Sequence, residues 1–219
     1  MLSHTEENYL KAIFNLELSH SKNVSTTLIA KNLHTKASSV TDMIKKLAEK
    51  NLVNYQKYKG VTTTTEGKKR AIKVVRKHRL WEVFLVEKLN FNWDEVHEIA
   101  EQLEHIESDE LIERLDTYLN YPTKDPHGDP IPDAKGKMRA EKAILLSNAN
   151  KDILYKITCV KDNSSALLQF LDKHALNIDS ELTVLDKFDF DNSITVELNN
   201  GNNLTLSHKI CTNVFVTIK

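Results

Sequence analysis

Cysteine is scarce in this chain of 219 residues: Cys159 and Cys211 are the only two, far apart and without a Cys-x-x-Cys companion. That spacing excludes a zinc ribbon and a thiol redox motif, and it reads both thiols as small apolar side chains of an interior. No apolar run approaches the roughly 20 residues that a membrane-spanning helix needs. The N-terminus opens Met1-Leu-Ser-His-Thr-Glu-Glu, with no basic stretch ahead of an apolar one. No membrane association and a cytoplasmic location are therefore expected. Proline is confined to one place, since Pro122, Pro126, Pro130 and Pro132 all fall between Tyr121 and Asp133. That stretch cannot be helical. Low-complexity and disordered compositions are also excluded, because hydrophobic residues make up 40% and charged residues 28% of the chain. What remains is an ordinary globular composition, long enough for one large domain or two small ones.

The net charge of −1 conceals a division. Residues 1–80 hold 16 lysines and arginines against 6 acids, whereas residues 81–219 hold 14 against 25. A basic N-terminal part points to a polyanionic partner, and an acidic remainder suits cation binding.

Taken in order, Tyr9, Leu10, Ile13, Phe14, Leu16 and Leu18 recur at helical spacing and predict a first helix over 5–18. A short helix over 26–33 and another over 37–50 follow, separated by the polar turn His34-Thr35-Lys36. Residues 52–58 alternate apolar with polar, Lys59-Gly60 makes a turn, and 61–65 are mainly β-branched, which predicts a hairpin. Three helices and a hairpin outline a winged helix-turn-helix whose partner is double-stranded DNA. Its recognition helix would present Lys36, Ser38, Ser39, Thr41 and Asp42 to the major groove, and its wing would carry Lys57 and Lys59. Ser38 and Ser39 read equally well as helix caps. A long helix over 68–90 and helices over 93–106 and 110–119 come next. They suit a two-fold homodimer reading a palindromic operator. Beyond the proline-rich stretch and a basic tether over 135–150, five β-rich segments and one helix over 165–174 predict a small SH3-like β-barrel. The expected fold is thus mostly α with a β C-terminal module, divided into a DNA-binding domain over 1–66, a helical metal-binding and dimerisation domain over 67–150, and the SH3-like domain over 151–219.

The chemistry concentrates in His97-Glu-Ile-Ala-Glu101-Gln-Leu-Glu104-His105. On a helix, Glu101, Glu104 and His105 share one face, and two carboxylates with an imidazole make a hard, mixed oxygen and nitrogen site for Mn²⁺, Fe²⁺ or Zn²⁺. The plainer alternative is a solvated acidic helix face.

The order of these parts resembles the diphtheria-toxin-repressor family of metal-dependent regulators, most nearly its manganese-responsive branch. The likeness rests on Ser38-Ser-Val-Thr-Asp-Met, Lys57-Tyr-Lys-Gly, Lys77-His78-Arg-Leu-Trp-Glu82, Glu101-Gln-Leu-Glu-His105 and Asp125-Pro-His127-Gly-Asp-Pro-Ile. The resemblance implies a primary metal site of Asn8, His78, Glu101, Glu104 and His105. Asn8 departs from the family, which has Met or Asp there, and leaves Glu7 as an alternative ligand. Lys11 stands where the manganese branch can have Glu, a departure from that branch's binuclear arrangement. Glu101 replaces a Cys of iron-responsive relatives, which favours Mn²⁺ over Fe²⁺. An ancillary site is implied at Glu82, His97, Asp125, His127 and Asp162, although His97 alone also reads as a surface histidine and Asp125 as a turn former. The C-terminal module is expected to be FeoA-like. The resemblance further implies a repressor of metal-uptake genes, not an enzyme. Two rivals are weighed beside it: a metal-independent winged-helix regulator whose acidic helices only dimerise, and a metallohydrolase built on His97 and Glu98, which lacks the second imidazole of zincin catalysis.

Overall fold

The computed structural model describes residues 2–20, 23–138, 142–161 and 164–219, except for the side chain of His20. The chain divides into two compact units: Met1–His78 with Glu101–Glu113 and Pro132–Lys137, and Arg79–Ala100 with Arg114–Ile131 and Met138–Lys219.

In the first unit, helix α1 (His4–His20) begins on a reciprocal cap. Ser3 N–H donates to Glu6 Oε2 at 2.8 Å, and Glu6 N–H donates back to Ser3 Oγ at 3.3 Å, which satisfies two amides of the first turn. Helix α2 (Thr26–Asn32) is capped by Ser25, and α3 (Ala37–Glu49) starts after Lys36 without a side-chain cap. Ser38 and Ser39 therefore lie inside α3, exposed, and do not cap it. Strands β1 (Val53–Gln56) and β2 (Gly60–Thr63) pair antiparallel as a hairpin. Leu10, Ile13, Phe14, Ile29, Val40, Ile44, Leu47 and Val61 are fully buried or nearly so and form the core of this winged-helix arrangement. Glu17 fastens α1 to the hairpin by accepting from the backbone N–H of Thr63 at 2.9 Å and from its hydroxyl.

Helix α4 (Thr65–Leu89) opens where Thr64 Oγ1 accepts from the Gly67 amide, and α5 (Val96–Leu103) and α6 (Asp109–Tyr118) follow. The expected helix over 93–106 is shorter than its periodicity suggests, and Glu104 and His105 lie in a turn beyond α5. The buried side-chain bonds of Glu104 fix that turn, and Ser108 caps α6 immediately after it, so tertiary contacts and capping override the helical spacing.

In the second unit a six-stranded antiparallel sheet runs β3 (Ile144–Leu145), β8 (Val214–Ile218), β4 (Leu154–Val160), β5 (Glu181–Lys187), β6 (Ile194–Leu198), β7 (Asn203–Leu206). Short strand β3 falls within the stretch expected to be a tether, because Ile144 and Leu145 pair with Val216 and Phe215. The sheet order has two ends, β3 and β7, and the module is the expected SH3-like one, with its sheet open between those ends. Helix α7 (Ser165–Lys173) packs Leu168 and Leu171 on Tyr155, Ile157, Val184, Val196 and Val216, and a four-residue helix α8 (His208–Cys211) buries Cys211. A register shift between Ile157 and Cys159 bends β4 where it meets the Pro-His-Gly loop, and Val160 N–H donates to the His127 carbonyl at 2.9 Å. No helix among the described residues is long and apolar enough to cross a membrane.

Candidate metal centre

The first cluster lies entirely within the first unit. Helical spacing puts His4, Glu7, Asn8 and Lys11 on one face of α1. Glu101 ends α5's acidic face, the turn after it supplies Glu104 and His105, and α4 supplies His78. Glu104 is fully buried, and its Oε2 meets Lys11 Nζ at 2.8 Å and His78 Nδ1 at 2.7 Å. Burial opposes its charge, but the His78 bond and the Lys11 ammonium hold the carboxyl below the usual range. Lys11 also bonds Glu101, and His78 and Glu101 present ligand atoms within 4.8 Å of each other.

His105 is buried, with His4 stacked on its ring at 4.4 Å. Its Nδ1 lies 2.6 Å from Glu7 Oε2. With Nδ1–H donated to that carboxylate, the lone pair of the imidazole sits on Nε2, 3.8 Å from Glu104 Oε1. Two buried oxygens, Glu104 Oε1 and Asn8 Oδ1, have no hydrogen-bond partner among the described residues. A buried carboxylate oxygen without a donor is costly by a few kcal/mol, and a cation is the partner its lone pairs suit. The structure therefore separates two residues that the sequence left as alternatives: Glu7 engages His105, while Asn8 offers the unpartnered oxygen.

The second cluster lies within the second unit. Glu82, Asp125 and His127 are all buried and bring ligand atoms within 4.8 Å of one another. His127 Nε2 lies 2.9 Å from the Trp93 carbonyl, which only accepts, so Nε2 carries a proton and Nδ1 points its lone pair inward, 3.7 Å from Glu82 Oε2. Nδ1 has no hydrogen-bond partner among the described residues. His97 is half-exposed with Nδ1 3.6 Å from Glu82 Oε1. Asp125 Oδ1 accepts from the amides of His127 and Asp129, which shapes the loop. Burial, then the neighbouring Glu82 and Asp129 carboxylates, push the Asp125 carboxyl up to about 7. Burial opposes protonation of His127, but the nearby Glu82 and Asp125 carboxylates prevail and raise it. Gly128 has φ +88°, and a Cβ there would stand 2.0 Å from the Thr158 carbonyl. Only glycine lets the loop approach β4 this closely. Asp162, the expected ligand from the β module, lies outside the described residues.

Sequence reasoning missed Arg79, whose Nε lies 3.5 Å from Asp125 Oδ2 and whose Nη1 donates to the Pro130 carbonyl, clamping both ends of the loop. It also missed the stacking of His4 on His105, although their helix-face spacing with Glu7 and Lys11 was available as a signal. At the expected DNA face, Lys36, Ser38, Ser39 and Asp42 are exposed, and Thr41 is half-buried with its hydroxyl donating to the Ala37 carbonyl. Lys57 and Lys59 stand exposed at the hairpin turn.

Residues 1–61 match the iron dependent repressor N-terminal DNA binding domain, and residues 64–133 match the iron dependent repressor metal binding and dimerisation domain. The chain belongs to the iron-dependent repressor family. A FeoA domain matches residues 144–218 of this repressor-family chain. An uncharacterized HTH-type transcriptional regulator of Methanocaldococcus jannaschii is 39% identical over 118 residues, covering 54% of this chain and 94% of that protein. The iron-dependent repressor IdeR of Mycobacterium leprae is 35% identical over 128 residues, 58% of this chain and 55% of its own length. Among solved structures, a manganese-dependent transcriptional repressor in complex with manganese superposes with a TM-score of 0.91 at 34% identity, over 98% of this chain and 100% of that one.

Proposed function

We propose that this iron-dependent repressor family member senses Mn²⁺, or Fe²⁺ as the second choice, and as a cytoplasmic homodimer represses metal-uptake genes by binding palindromic operator DNA. The observation that carries the reading is the buried Glu104, whose Oε1 has no donor and faces His105 Nε2, in a cluster that includes Glu7, Asn8 and Lys11 of α1. The donor set contains oxygen and nitrogen and no thiolate, which fits a hard to borderline divalent ion. Asn8, His78, Glu101, Glu104 and His105 would hold it, with Glu7 orienting His105. Glu82, His97, Asp125, His127 and Asp162 would form an ancillary site. Bound at these sites, the ion would add positive charge among the clustered carboxylates.

The chain's own residues transmit that event. Helix α1 carries Glu7, Asn8 and Lys11 into the cluster, packs on α2, α3 and β2, and is tied to the hairpin by Glu17. Drawing Asn8 toward Glu104 and His105 fixes α1, and through α1 the position of α3 and the wing. In this assignment residues 1–66 read DNA, 67–150 bind metal and dimerise, and 151–219 form the SH3-like module. Lys36, Ser38, Ser39, Thr41 and Asp42 approach base edges and phosphates, and Lys57 and Lys59 bind backbone. A fixed pair of heads in a symmetric dimer fits two half-sites together, which is a population shift toward the DNA-competent arrangement. The names of the relatives, an iron-dependent repressor and a manganese-dependent one, agree with this assignment and leave the ion to experiment.

The test is selection of duplexes from a random pool by the full-length protein with Mn²⁺, Fe²⁺, Zn²⁺ or chelator in parallel. Recovery of a palindrome with Mn²⁺ or Fe²⁺ alone is expected. Recovery of the same palindrome in chelator would favour the metal-independent regulator.

A further inference from the structure

Lys11 is 9% exposed, a degree of burial that lysine rarely reaches unless it is paired. Its ammonium bonds Glu101 and lies 2.8 Å from Glu104 Oε2, so it sits among the carboxylates proposed to bind metal. Without it, Glu104 would lose its ammonium partner and face the half-buried Glu101, in a cluster that also holds Glu7. The ammonium leaves Glu104 Oε1 and Asn8 Oδ1 unused. These atoms together describe a centre in which one positive charge is already present, tethered to α1.

We infer that Lys11 is a resident counter-ion that competes with the metal and sets the concentration at which this protein responds. The inference rests on the metal-binding reading above. A divalent ion taken up by Glu104 meets a positive charge a few ångströms away. Either the ammonium stays and repels the ion, or it withdraws and forfeits its bonds to Glu101 and Glu104. Both courses weaken metal binding relative to the same ligands without the lysine. The lysine also keeps α1 bonded to Glu101 and Glu104 when metal is absent, so the metal-free helix remains docked by a weaker, single-charge tie. The competitor belongs to this chain and is therefore at a fixed local concentration, so its effect on the threshold does not change with protein concentration.

Mn²⁺ binding to the full-length protein is measured by calorimetry, with Glu104→Gln identifying the phase that belongs to this cluster. Lys11→Met should tighten that phase by about tenfold or more, the expected effect of deleting a like charge at this range. Lys11→Gln, which keeps a donor without the charge, should tighten it as well, and Lys11→Arg should leave it near the wild-type value. The metal-free Lys11→Met protein should also melt lower than wild type and gain more on adding Mn²⁺, because its carboxylates have lost their counter-ion. Unchanged or weaker binding in both Lys11→Met and Lys11→Gln would overturn the inference while leaving the metal site standing. If Glu104→Gln removes no phase, the metal-site reading itself fails and the inference falls with it.

Discussion

Replacing Glu104 by Gln is the most informative single change. The side chain is fully buried and accepts from two cationic or ring donors, Lys11 at 2.8 Å and His78 at 2.7 Å. Hydrogen bonds to charged groups contribute roughly 1.5–3 kcal/mol each. Lys11 retains Glu101, and the amide oxygen still accepts one bond, so the loss is smaller than for an orphaned buried charge and comes to about 2–4 kcal/mol in the metal-free protein. For a chain of this size that corresponds to a fall of roughly 5–15 °C in the melting temperature of the unit that contains the cluster. The anionic oxygen facing His105 Nε2 is lost at the same time, so Mn²⁺ affinity should drop by about 100-fold or more, at least the loss seen for removing a supporting partner of a metal ligand. Scanning calorimetry with and without Mn²⁺ reads both effects. A variant that melts within about 1 °C of wild type and keeps its Mn²⁺-induced rise would refute the reasoning.

Other outcomes follow from the same geometry. The Asp125 carboxyl is raised to about 7 by burial and by Glu82, so its contribution to stability is complete below its unfolded value near 3.8 and is lost as pH rises through about 7. His127, also raised, adds to that loss above pH 6.5. The metal-free wild type should therefore lose stability from pH 5 to 8 relative to Asp125→Asn, whose own profile should be flatter; parallel denaturant titrations would expose equal slopes if this is wrong. Gly128→Ala places a Cβ against the Thr158 carbonyl at positive φ, and should destabilise the second unit by ~2 kcal/mol or more in a thermal melt. Lys57→Ala and Lys59→Ala should each reduce the slope of log affinity for DNA against log salt by about 1, measured by anisotropy across a salt series.

Much of this was legible in the residues because periodicity and punctuation agreed. The apolar stripe of α1, the Lys59-Gly60 turn and the proline cluster each specify local structure without help from the rest of the chain. The end of α5 was not legible. Glu104 and His105 keep helical spacing, yet the bonds that Glu104 makes to α1 and α4, residues 93 and 26 positions away, hold it in a turn. Strand β3 was read as part of a tether because its pairing with β8 joins residues 70 or more apart. The ligand types could be named from their chemistry and the resemblance put Lys11 at a ligand position, but its bonds to Glu101 and Glu104 are a tertiary fact: a lysine on an amphipathic helix usually reads as a solvated charge. Arg79 was hidden for the same reason, since its partners are a backbone carbonyl and two loop carboxylates some 45 to 50 residues on.

The central claim is that metal in the α1 cluster controls DNA binding. It is tested most directly by fluorescence anisotropy of a labelled, selected duplex with the full-length protein, once in saturating Mn²⁺ and once in chelator, for wild type and for His105→Ala. The account predicts that wild-type affinity falls by at least about tenfold on removing Mn²⁺, and that His105→Ala stays weak in both conditions with its fold intact by circular dichroism. Equal wild-type affinity with and without metal would contradict it.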